Sequence, residues 1–379
     1  MDYGKKALAA HQKLAGKIEM STKASLDSRE KLSLYYTPGV AAVSSLLAKK
    51  PQLARDYTWL GNSVAVISDG SAVLGLGDIG PYGALPVMEG KAMIFKDFAG
   101  IDAIPIVLNV HQPEQIIQAV SAIAPSFGGI NLEDIAAPEC FEIENQLQKS
   151  LPIPVFHDDQ HGTAIVVLAG LLNACQLTGR TLNSSKIVIS GVGAAGVATA
   201  RLLKKSAPKA TILAVDSQGL LYRGRAGQNP VKKRLLASRV VSSSAGGNLA
   251  QALESADIFV GVSKGGIVSP PMVASMSKDP IVIAMANPSP EILPDDAKLG
   301  GAAIVATGRS DLPNQINNAL AFPGIFRGAL DNKVKKITDA HKIAAAKVIA
   351  GLVARPTPDC IIPTVLDKRL VPAIARVIT

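Results

Sequence analysis

Apolar positions along the chain follow two alternating patterns. Short apolar runs of strand length, such as IDAIPIVLNV and KIVIS, are followed by segments with apolar residues at helical spacing, such as PEQIIQAVSAIAPSF and GVATARLLKK. A short continuous apolar run predicts a buried strand, and apolar residues three and four positions apart predict one face of a helix. Their regular alternation predicts an α/β fold in which helices cover parallel strands.

The alternation occurs in two blocks, separated by LPIPVFHDD with its two prolines. We predict an α/β domain over residues 1–156 and a Rossmann-type domain over residues 157–379. The second domain should contain a doubly wound parallel sheet and C-terminal helices that pack back across the molecule. A chain of 379 residues has room for about two such cores.

Composition agrees with an aliphatic, layered core. Hydrophobic residues make up 48% of the chain and aromatic residues only 4%, as parallel sheets covered by helices require. The formal net charge is +9, but the basic residues are scattered in short groups without interleaved aromatics. The sequence therefore does not predict nucleic-acid binding.

Cysteine usage and apolar segments indicate the compartment. Cys140, Cys175 and Cys360 are far apart and form no C-x-x-C pair, which is typical of reduced thiols in the cytoplasm. No apolar run is long enough to span a membrane, and the first residues do not resemble a signal peptide. We therefore expect a cytoplasmic protein.

Two glycine-rich loops share the spacing G-x-G-x-x-G. In GVGAAG, the glycines Gly191, Gly193 and Gly196 follow a strand and open a helix, with Ala194 and Ala195 between them. Asp216 ends the next predicted strand, at the distance where a carboxylate contacts the adenosine ribose. This loop predicts a dinucleotide site.

The other loop, GLGDIG, runs from Gly75 to Gly80 and is a weaker match. Pro81 follows it, so we expect the helix to be delayed, and Asp78 would place a negative charge inside a phosphate cradle. Two interpretations stay open: a loop whose backbone approaches a ligand closely, and a tight turn between packed elements.

Two pairs of acidic residues follow predicted strands. Glu133 and Asp134 lie in NLEDIAAPE, and Asp158 and Asp159 lie in VFHDDQHGT. Adjacent carboxylates repel one another unless they are exposed or bind a cation, so the pairs predict a Mg²⁺ or Mn²⁺ site. Helix capping in solvated loops is the alternative.

Lys91 and Tyr36 are the remaining candidates for chemistry. Lys91 lies in the apolar helix ALPVMEGKAMIF, and from the residues alone we expect it to point to solvent, as most helix lysines do. The alternative is a buried lysine, whose pKa would be lowered so that it could act as a base. Tyr36 lies in YYTPG, and from the residues alone we expect a packed turn aromatic.

With these residues identified, the chain resembles the malic enzyme family in its short bacterial form. The resemblance covers nearly the whole chain. It rests on seven motifs in order: LSLYYTPGVA, VAVISDGSAVLGLGDIG, PVMEGKAMIFK, NLEDIAAPECFEIE, PVFHDDQHGTAIV, ANPSPEI and INNALAFPG.

The resemblance implies NAD(P)-linked oxidative decarboxylation of L-malate by a catalytic N-terminal domain. It implies that Lys91 is the base for the C2 hydroxyl, that Tyr36 protonates enolpyruvate, and that Asp158 tunes Lys91. It assigns the Mg²⁺ or Mn²⁺ ligands to the three other carboxylates, Glu133, Asp134 and Asp159.

The resemblance also implies that Asn287 and Asn318 contact the substrate and the cofactor. Longer family members carry an arginine where this chain has Ala72, so the malate carboxylates must be held otherwise, for example by the backbone near Gly77. The family implies at least a homodimer, with a site that the partner subunit completes.

The preference for NAD or NADP stays open. Asp216 favours NAD by repelling a 2′-phosphate, whereas four nearby cations are close enough to bind one: Arg223, Arg225, Lys232 and Lys233. Two other functions are alternatives to a malic enzyme. One is a metal-dependent oxaloacetate decarboxylase without net redox, and the other is a non-catalytic dinucleotide-binding regulator.

Overall fold

The computed structural model describes residues 3–73, 76–243 and 246–379. These residues form two sheets covered by helices, so the predicted α/β class is confirmed.

The first sheet has strand order β2-β1-β3-β4 and is parallel throughout. Its strands are β1 (Ser63–Ser68), β2 (Asp102–Val107), β3 (Gly129–Leu132) and β4 (Val155–His157). The helices of this part are α1 (Tyr3–Leu14), α2 (Arg29–Tyr35), α3 (Val40–Lys49), α4 (Ala54–Tyr57), α5 (Gly80–Ala99), α6 (Pro113–Ile123) and α7 (Glu139–Ser150).

The second sheet has the order β10-β9-β8-β5-β6-β7. The chain runs outward from β5 in both directions, which is the doubly wound arrangement, and only β7 within the described sheet is antiparallel. Its strands are β5 (Lys186–Ser190), β6 (Thr211–Asp216), β7 (Gly219–Leu220), β8 (Ile258–Gly261), β9 (Ile281–Ala284) and β10 (Ile304–Thr307). The helices are α8 (Asp158–Leu177), α9 (Ala194–Ser206), α10 (Pro230–Ala237), α11 (Leu249–Leu253), α12 (Pro270–Ala274), α13 (Pro294–Leu299), α14 (Phe322–Asp331), α15 (Asp339–Gly351) and α16 (Leu370–Ala375).

Helix α8 is apolar on nearly every side because other elements surround it. It packs against α9 and α15, and α16 packs against α14, as expected for a tail that returns across the molecule. Each Leu, Ile or Val buried in this way contributes about 1.5–3 kcal/mol. The helix ends at Leu177 with Thr178 as its C-cap, followed by Gly179 in the left-handed conformation with φ +65°.

The predicted delay of the helix after GLGDIG is wrong. Helix α5 begins at Gly80 itself, and Pro81 occupies its first turn. Proline is favoured there because its fixed φ suits a helix and the missing N–H would have no intrahelical acceptor. Lys91 therefore lies about three turns into this helix, which contains Pro86 and packs on β1 and β2.

Helices α1, α2 and α3 contain no buried residue. Large apolar side chains on and near them are exposed, including Leu8, Leu34 and Tyr35. No helix within the described ranges combines the length and the apolarity needed to cross a bilayer.

Candidate active site

The acidic pairs meet at one edge of the first sheet. Leu132 of β3 pairs with His157 of β4 in a parallel register, so both strands end at the same edge. The residues that follow, Glu133 and Asp134 on one strand and Asp158 on the other, are thereby brought together.

Three carboxylates form a compact group at this edge. Glu133, Asp134 and Asp159 each offer an oxygen, and these atoms all lie within 4.8 Å of one another. The Asp134 N–H donates to Asp159 Oδ2 at 2.8 Å, and Asp134 has φ +53°, a conformation that non-glycine residues adopt rarely and often at functional sites. Asn131 Nδ2 donates to Glu133 Oε2 at 2.9 Å and fixes that carboxylate.

This donor set fits a hard divalent cation. Its ligands are oxygens only, as Mg²⁺ and Mn²⁺ prefer. Burial raises the pKa of Glu133, and repulsion from Asp159 adds to the increase; burial and Asp158 raise the pKa of Asp159 likewise. Carboxylates packed so closely repel one another, and a bound cation would offset that repulsion. Asp158 and Asp159 are the first residues of α8, but the N-cap is His157, which makes no side-chain cap hydrogen bond, and Asp158 is buried. Capping in a solvated loop therefore does not describe this pair.

Lys91 lies directly beside this group. Its Nζ is 2.6 Å from Asp158 Oδ2 and 2.8 Å from Glu133 Oε1, and its side chain is only 8% exposed. The ammonium also lies 4.3 Å from the centre of the Phe322 ring, a cation–π contact that orients it. The expectation from the residues alone that Lys91 points to solvent is therefore wrong, and the lysine is buried.

The expected direction of the Lys91 pKa shift is wrong. Burial alone would lower the pKa of the ammonium, but attraction to Asp158, Glu133 and Asp159 outweighs it and raises the pKa. Lys91 is therefore protonated as long as no cation offsets the negative charge of the acidic group. A divalent cation bound by Glu133 and Asp159 would oppose two of these three attractions.

Asp158 is completely buried against the start of α8. Burial raises its pKa to about 7, although Lys91 opposes the increase. A Cβ atom at Gly162 would overlap Asp158 Oδ1 and crowd Asn318, so only glycine leaves room for this carboxylate. Asn318 begins the short 3₁₀ turn Asn318–Leu320, which packs against α8.

Tyr36 is placed differently from Lys91. It follows α2 as the C-cap residue and is 65% exposed, so the expectation of a packed turn aromatic is wrong. Its hydroxyl makes no hydrogen bond with any residue in the described ranges. The helix that precedes it, α2, contains no buried residue.

The loop GVGAAG has the geometry of a dinucleotide cradle. Gly191 leaves β5 with φ +105°, and Gly193 caps α9, whose first residues are Ala194 and Ala195. A Cβ at Gly196 would overlap the Gly191 carbonyl, whereas one at Gly193 would meet nothing. The loop is therefore tightly packed on one side and open at the helix N-terminus, where a pyrophosphate binds.

Asp216, at the end of β6, is held by two cations. Arg225 donates to both of its oxygens, at 2.9 and 2.5 Å, and Lys232 Nζ lies 2.7 Å from Oδ2. Although partial burial alone would raise the pKa of Asp216, hydrogen bonds from Arg225 and Lys232 lower it to about 2. The carboxylate is ionised but its charge is balanced.

The loop before α5 has a different geometry from GVGAAG. Gly77 and Gly80 both have positive φ, +81° and +69°, and Gly75 lies outside the described residues. Gly77 O accepts from the Val73 N–H at 3.0 Å, a short backbone link before α5, as in the tight-turn interpretation. Asn287, in turn, follows β9 at the carboxyl edge of the second sheet.

Comparison with known proteins identifies the family. Residues 15–148 match the malic enzyme N-terminal domain, and residues 160–377 match the malic enzyme NAD binding domain. The chain belongs to the malic enzyme family. The resemblance expected from the seven motifs is thereby confirmed.

Relatives in the malic enzyme family cover this chain almost fully. A bifunctional malic/malolactic enzyme of Bacillus subtilis is 50% identical over 381 residues, which span 100% of this chain and 92% of that protein. A probable NADP-dependent malic enzyme of Rickettsia prowazekii is 47% identical, over 98% of this chain and 50% of that protein. The crystal structure of an NAD-dependent malic enzyme from Thermotoga maritima has a TM-score of 0.94 and 48% identity, with 98% of each chain covered. Family membership thus leaves NAD and NADP both open.

Sequence reasoning missed three residues of this malic enzyme site. Asn131 lies inside β3, Gly162 inside α8 and Phe322 at the start of α14, so each reads as part of a core element. Phe322 lies in the motif INNALAFPG, which marked the region without indicating that an aromatic ring faces Lys91.

Proposed function

We propose that this chain catalyses the metal-dependent oxidative decarboxylation of L-malate to pyruvate and CO₂, with reduction of NAD or NADP. The observation that carries the proposal is the contact of Lys91 with Asp158 and Glu133 beside an oxygen-only acidic group. A dinucleotide-binding regulator has no use for a buried lysine in this setting.

In this proposal Lys91 takes the proton of the malate C2 hydroxyl as the C2 hydride leaves for the nicotinamide. Lys91 is ready to do so only once it is neutral. Charge compensation at Glu133 and Asp159 removes attractions that raise its pKa. Asp158 lies 2.6 Å from the ammonium and holds Lys91 in place while the proton moves.

Glu133, Asp134 and Asp159 are the proposed ligands of Mg²⁺ or Mn²⁺. When bound, the cation supplies Lewis-acid polarisation of the C2 oxygen during loss of CO₂. Asn131 keeps Glu133 oriented toward the group.

Tyr36 is the proposed acid that protonates C3 of enolpyruvate, and we propose that it acts in a homodimer. Two facts support this: Tyr36 is exposed, and α1, α2 and α3 leave apolar side chains uncovered. A second subunit would cover this surface and contribute its Tyr36. Mixing inactive Tyr36→Phe and Lys91→Met subunits should then restore activity, and no recovery in a mixed dimer would contradict a shared site.

We propose the contacts to substrate and cofactor from the positions of these residues in the family's motifs. The backbone around Gly77, together with Asn287 and Asn318, is proposed to hold the malate carboxylates in place of the arginine absent at Ala72. The amides Asn287 and Asn318 also face the nicotinamide end of the cofactor in this proposal. The glycine loop from Gly191 to Gly196 holds the pyrophosphate.

The charge balance at Asp216 supports use of both nicotinamide cofactors. The ionised carboxylate accepts hydrogen bonds from the ribose of NAD. Arg225 and Lys232 offset its charge, so the 2′-phosphate of NADP meets cations as well as an anion.

The domain boundary between residues 156 and 157 and a cytoplasmic location stay predictions.

A reaction without net redox is the second candidate. It is favoured by one observation, that a relative 50% identical to this chain is named a bifunctional malic/malolactic enzyme. The two candidates differ in their products, because only the malic enzyme reaction accumulates a reduced nicotinamide.

The test is an absorbance assay for reduced nicotinamide with L-malate, Mn²⁺ and either oxidised cofactor. We expect the signal to require all three components and to disappear with a chelator. Running NAD and NADP separately gives the preference. No reduced cofactor under any combination would overturn the proposal.

A further inference from the structure

Glu144 on α7 is a buried carboxylate that faces the start of α8. Its Oε1 accepts from the His157 N–H at 2.9 Å, and its Oε2 lies 2.9 Å from His161 Nε2. The stretch between these two contacts is called the bracketed segment here, and it contains Asp158 and Asp159. One side chain therefore holds the chain on both sides of two carboxylates of the proposed active site.

Glu144 also belongs to the part of the chain that carries the other acidic pair. Helix α7 begins at Glu139, shortly after Glu133 and Asp134. The contacts of Glu144 thus join the element that follows β3 to the element that follows β4. The three proposed ligand oxygens lie within 4.8 Å of one another, and this join fixes where Asp159 lies relative to the other two.

Lys342 on α15 determines which nitrogen of His161 carries the proton. Lys342 Nζ lies 3.1 Å from His161 Nδ1, and a lysine ammonium donates hydrogen bonds but accepts none. Nδ1 is therefore the acceptor, so the neutral ring carries its proton on Nε2. That N–H donates to Glu144 Oε2. The hydrogen bonds thus run from the ammonium through the imidazole to the carboxylate.

We propose that Glu144 is a positioning residue that sets the geometry of the metal ligand Asp159 and of Asp158, the partner of Lys91. It acts through the two ends of the bracketed segment and not by contact with the reacting atoms. The proposal rests on the metal-dependent function proposed above. Removing a hydrogen bond that orients a metal ligand typically lowers metal affinity by about 10–100-fold.

The test is calorimetric titration of the full chain with Mn²⁺, without malate or cofactor, so that binding is measured without turnover. In Glu144→Gln, the amide nitrogen faces either the His161 Nε2–H or the His157 N–H, donor against donor. One of the two contacts is therefore lost in either orientation of the amide. We expect the affinity for Mn²⁺ to fall by about tenfold or more.

A second substitution should restore the pairing. Lys342→Met removes the ammonium, so Nδ1 of His161 can carry the proton and Nε2 can accept from the amide that Glu144→Gln introduces. The double variant should therefore recover most of the Mn²⁺ affinity. Lys342→Met alone should bind Mn²⁺ as the unmodified chain does, because His161 still donates to the carboxylate.

Gln148→Met is the matched control. Gln148 donates to Glu144 Oε1 and to the Val155 carbonyl, each at 3.1 Å, so its loss weakens the same surroundings but leaves the bracketed segment attached. It should lower the urea midpoint and leave Mn²⁺ affinity unchanged. His161→Leu removes only one of the two contacts and should also weaken Mn²⁺ binding, so it tests the proposal if Glu144→Gln fails to fold.

The outcomes separate this proposal from the proposed function. Equal Mn²⁺ affinity in the unmodified chain, Glu144→Gln and His161→Leu would overturn the positioning role and leave the proposed reaction standing. An equal loss in Gln148→Met, or no recovery in the double variant, would also overturn it. The expected affinities in a chain that does not oxidise malate would support the positioning role and overturn the proposed reaction alone. No Mn²⁺ binding by the unmodified chain would overturn both.

Discussion

Replacing Lys91 by methionine tests how much the buried ion pairs of Lys91 with Asp158 and Glu133 stabilise the fold. Methionine has nearly the length of lysine but no ammonium, so the change leaves Asp158 and Glu133 buried without their cation. Breaking a buried ion pair by removing one partner costs about 3–5 kcal/mol of the free energy of unfolding. Lys96 on the same helix is the control. Its Nζ lies 2.6 Å from Asp102, but the lysine side chain is 61% exposed, and such a surface pair contributes about 0–1 kcal/mol.

The loss of stability should depend on pH. Burial raises the pKa of Asp158 from 3.8 to about 7 in the folded chain, and removal of Lys91 removes the attraction that opposes this increase. A carboxyl whose folded pKa lies above its unfolded pKa destabilises the fold as pH rises through that interval. The deficit of Lys91→Met should therefore be largest above about pH 7 and shrink toward pH 4.

Urea denaturation measures the stability, and malate oxidation measures the chemistry. We expect Lys91→Met to unfold at clearly lower urea than Lys96→Met and to lose activity by about a hundredfold or more, while cofactor binding to the folded fraction stays near normal. Lys96→Met should retain both stability and activity. Equal urea midpoints for the two variants would refute the charge argument, and loss of cofactor binding would show that Lys91 is assigned to the wrong task.

Three further predictions concern other parts of the molecule. Tyr36→Phe should slow the protonation of enolpyruvate more than it slows hydride transfer to oxaloacetate. Incorporation of solvent deuterium into pyruvate measures the protonation. Equal losses in the two rates would contradict the role of Tyr36. Arg225→Ala should reduce kcat/KM for NADP relative to NAD by about tenfold, since a hydrogen bond to a charged group is lost; an unchanged ratio would count against the role of Arg225. His161 Nε2 lies 2.9 Å from Glu144 Oε2. Burial alone would raise the pKa of Glu144, but interactions with His161, His157 and Lys342 lower it from 4.5 to about 2, so its contribution to stability is present above pH 4.5 and lost as pH falls toward 2. Glu144→Gln should thus be less stable than the unmodified chain at neutral pH, with the gap in urea midpoint closing in acid, and a constant gap would argue against this pairing.

The sequence allowed the layered fold and the dinucleotide loop to be predicted because both depend on local rules. Strand, glycine turn and helix follow one another directly around Gly191, and the carboxyl ends of neighbouring strands meet by geometry alone. The start of α5 is not predicted correctly from the sequence, because Pro81 suggests a later start whereas it lies in the first turn of the helix.

The electrostatics of the site could not be predicted in the same way. Burial of Lys91 was one of two alternatives, and its pKa shift depends on three carboxylates that are distant in sequence. The Phe322 ring comes from α14, far along the chain. Tyr36 was expected to be packed, but no local pattern distinguishes a turn aromatic that packs within its chain from one left exposed.

The most direct test is the ratio of reduced nicotinamide to CO₂ formed from L-malate in one incubation with Mn²⁺. Oxidative decarboxylation by Lys91 and the acidic group predicts equal amounts of the two, with pyruvate as the carbon product. CO₂ without reduced nicotinamide, or neither product, would contradict the account.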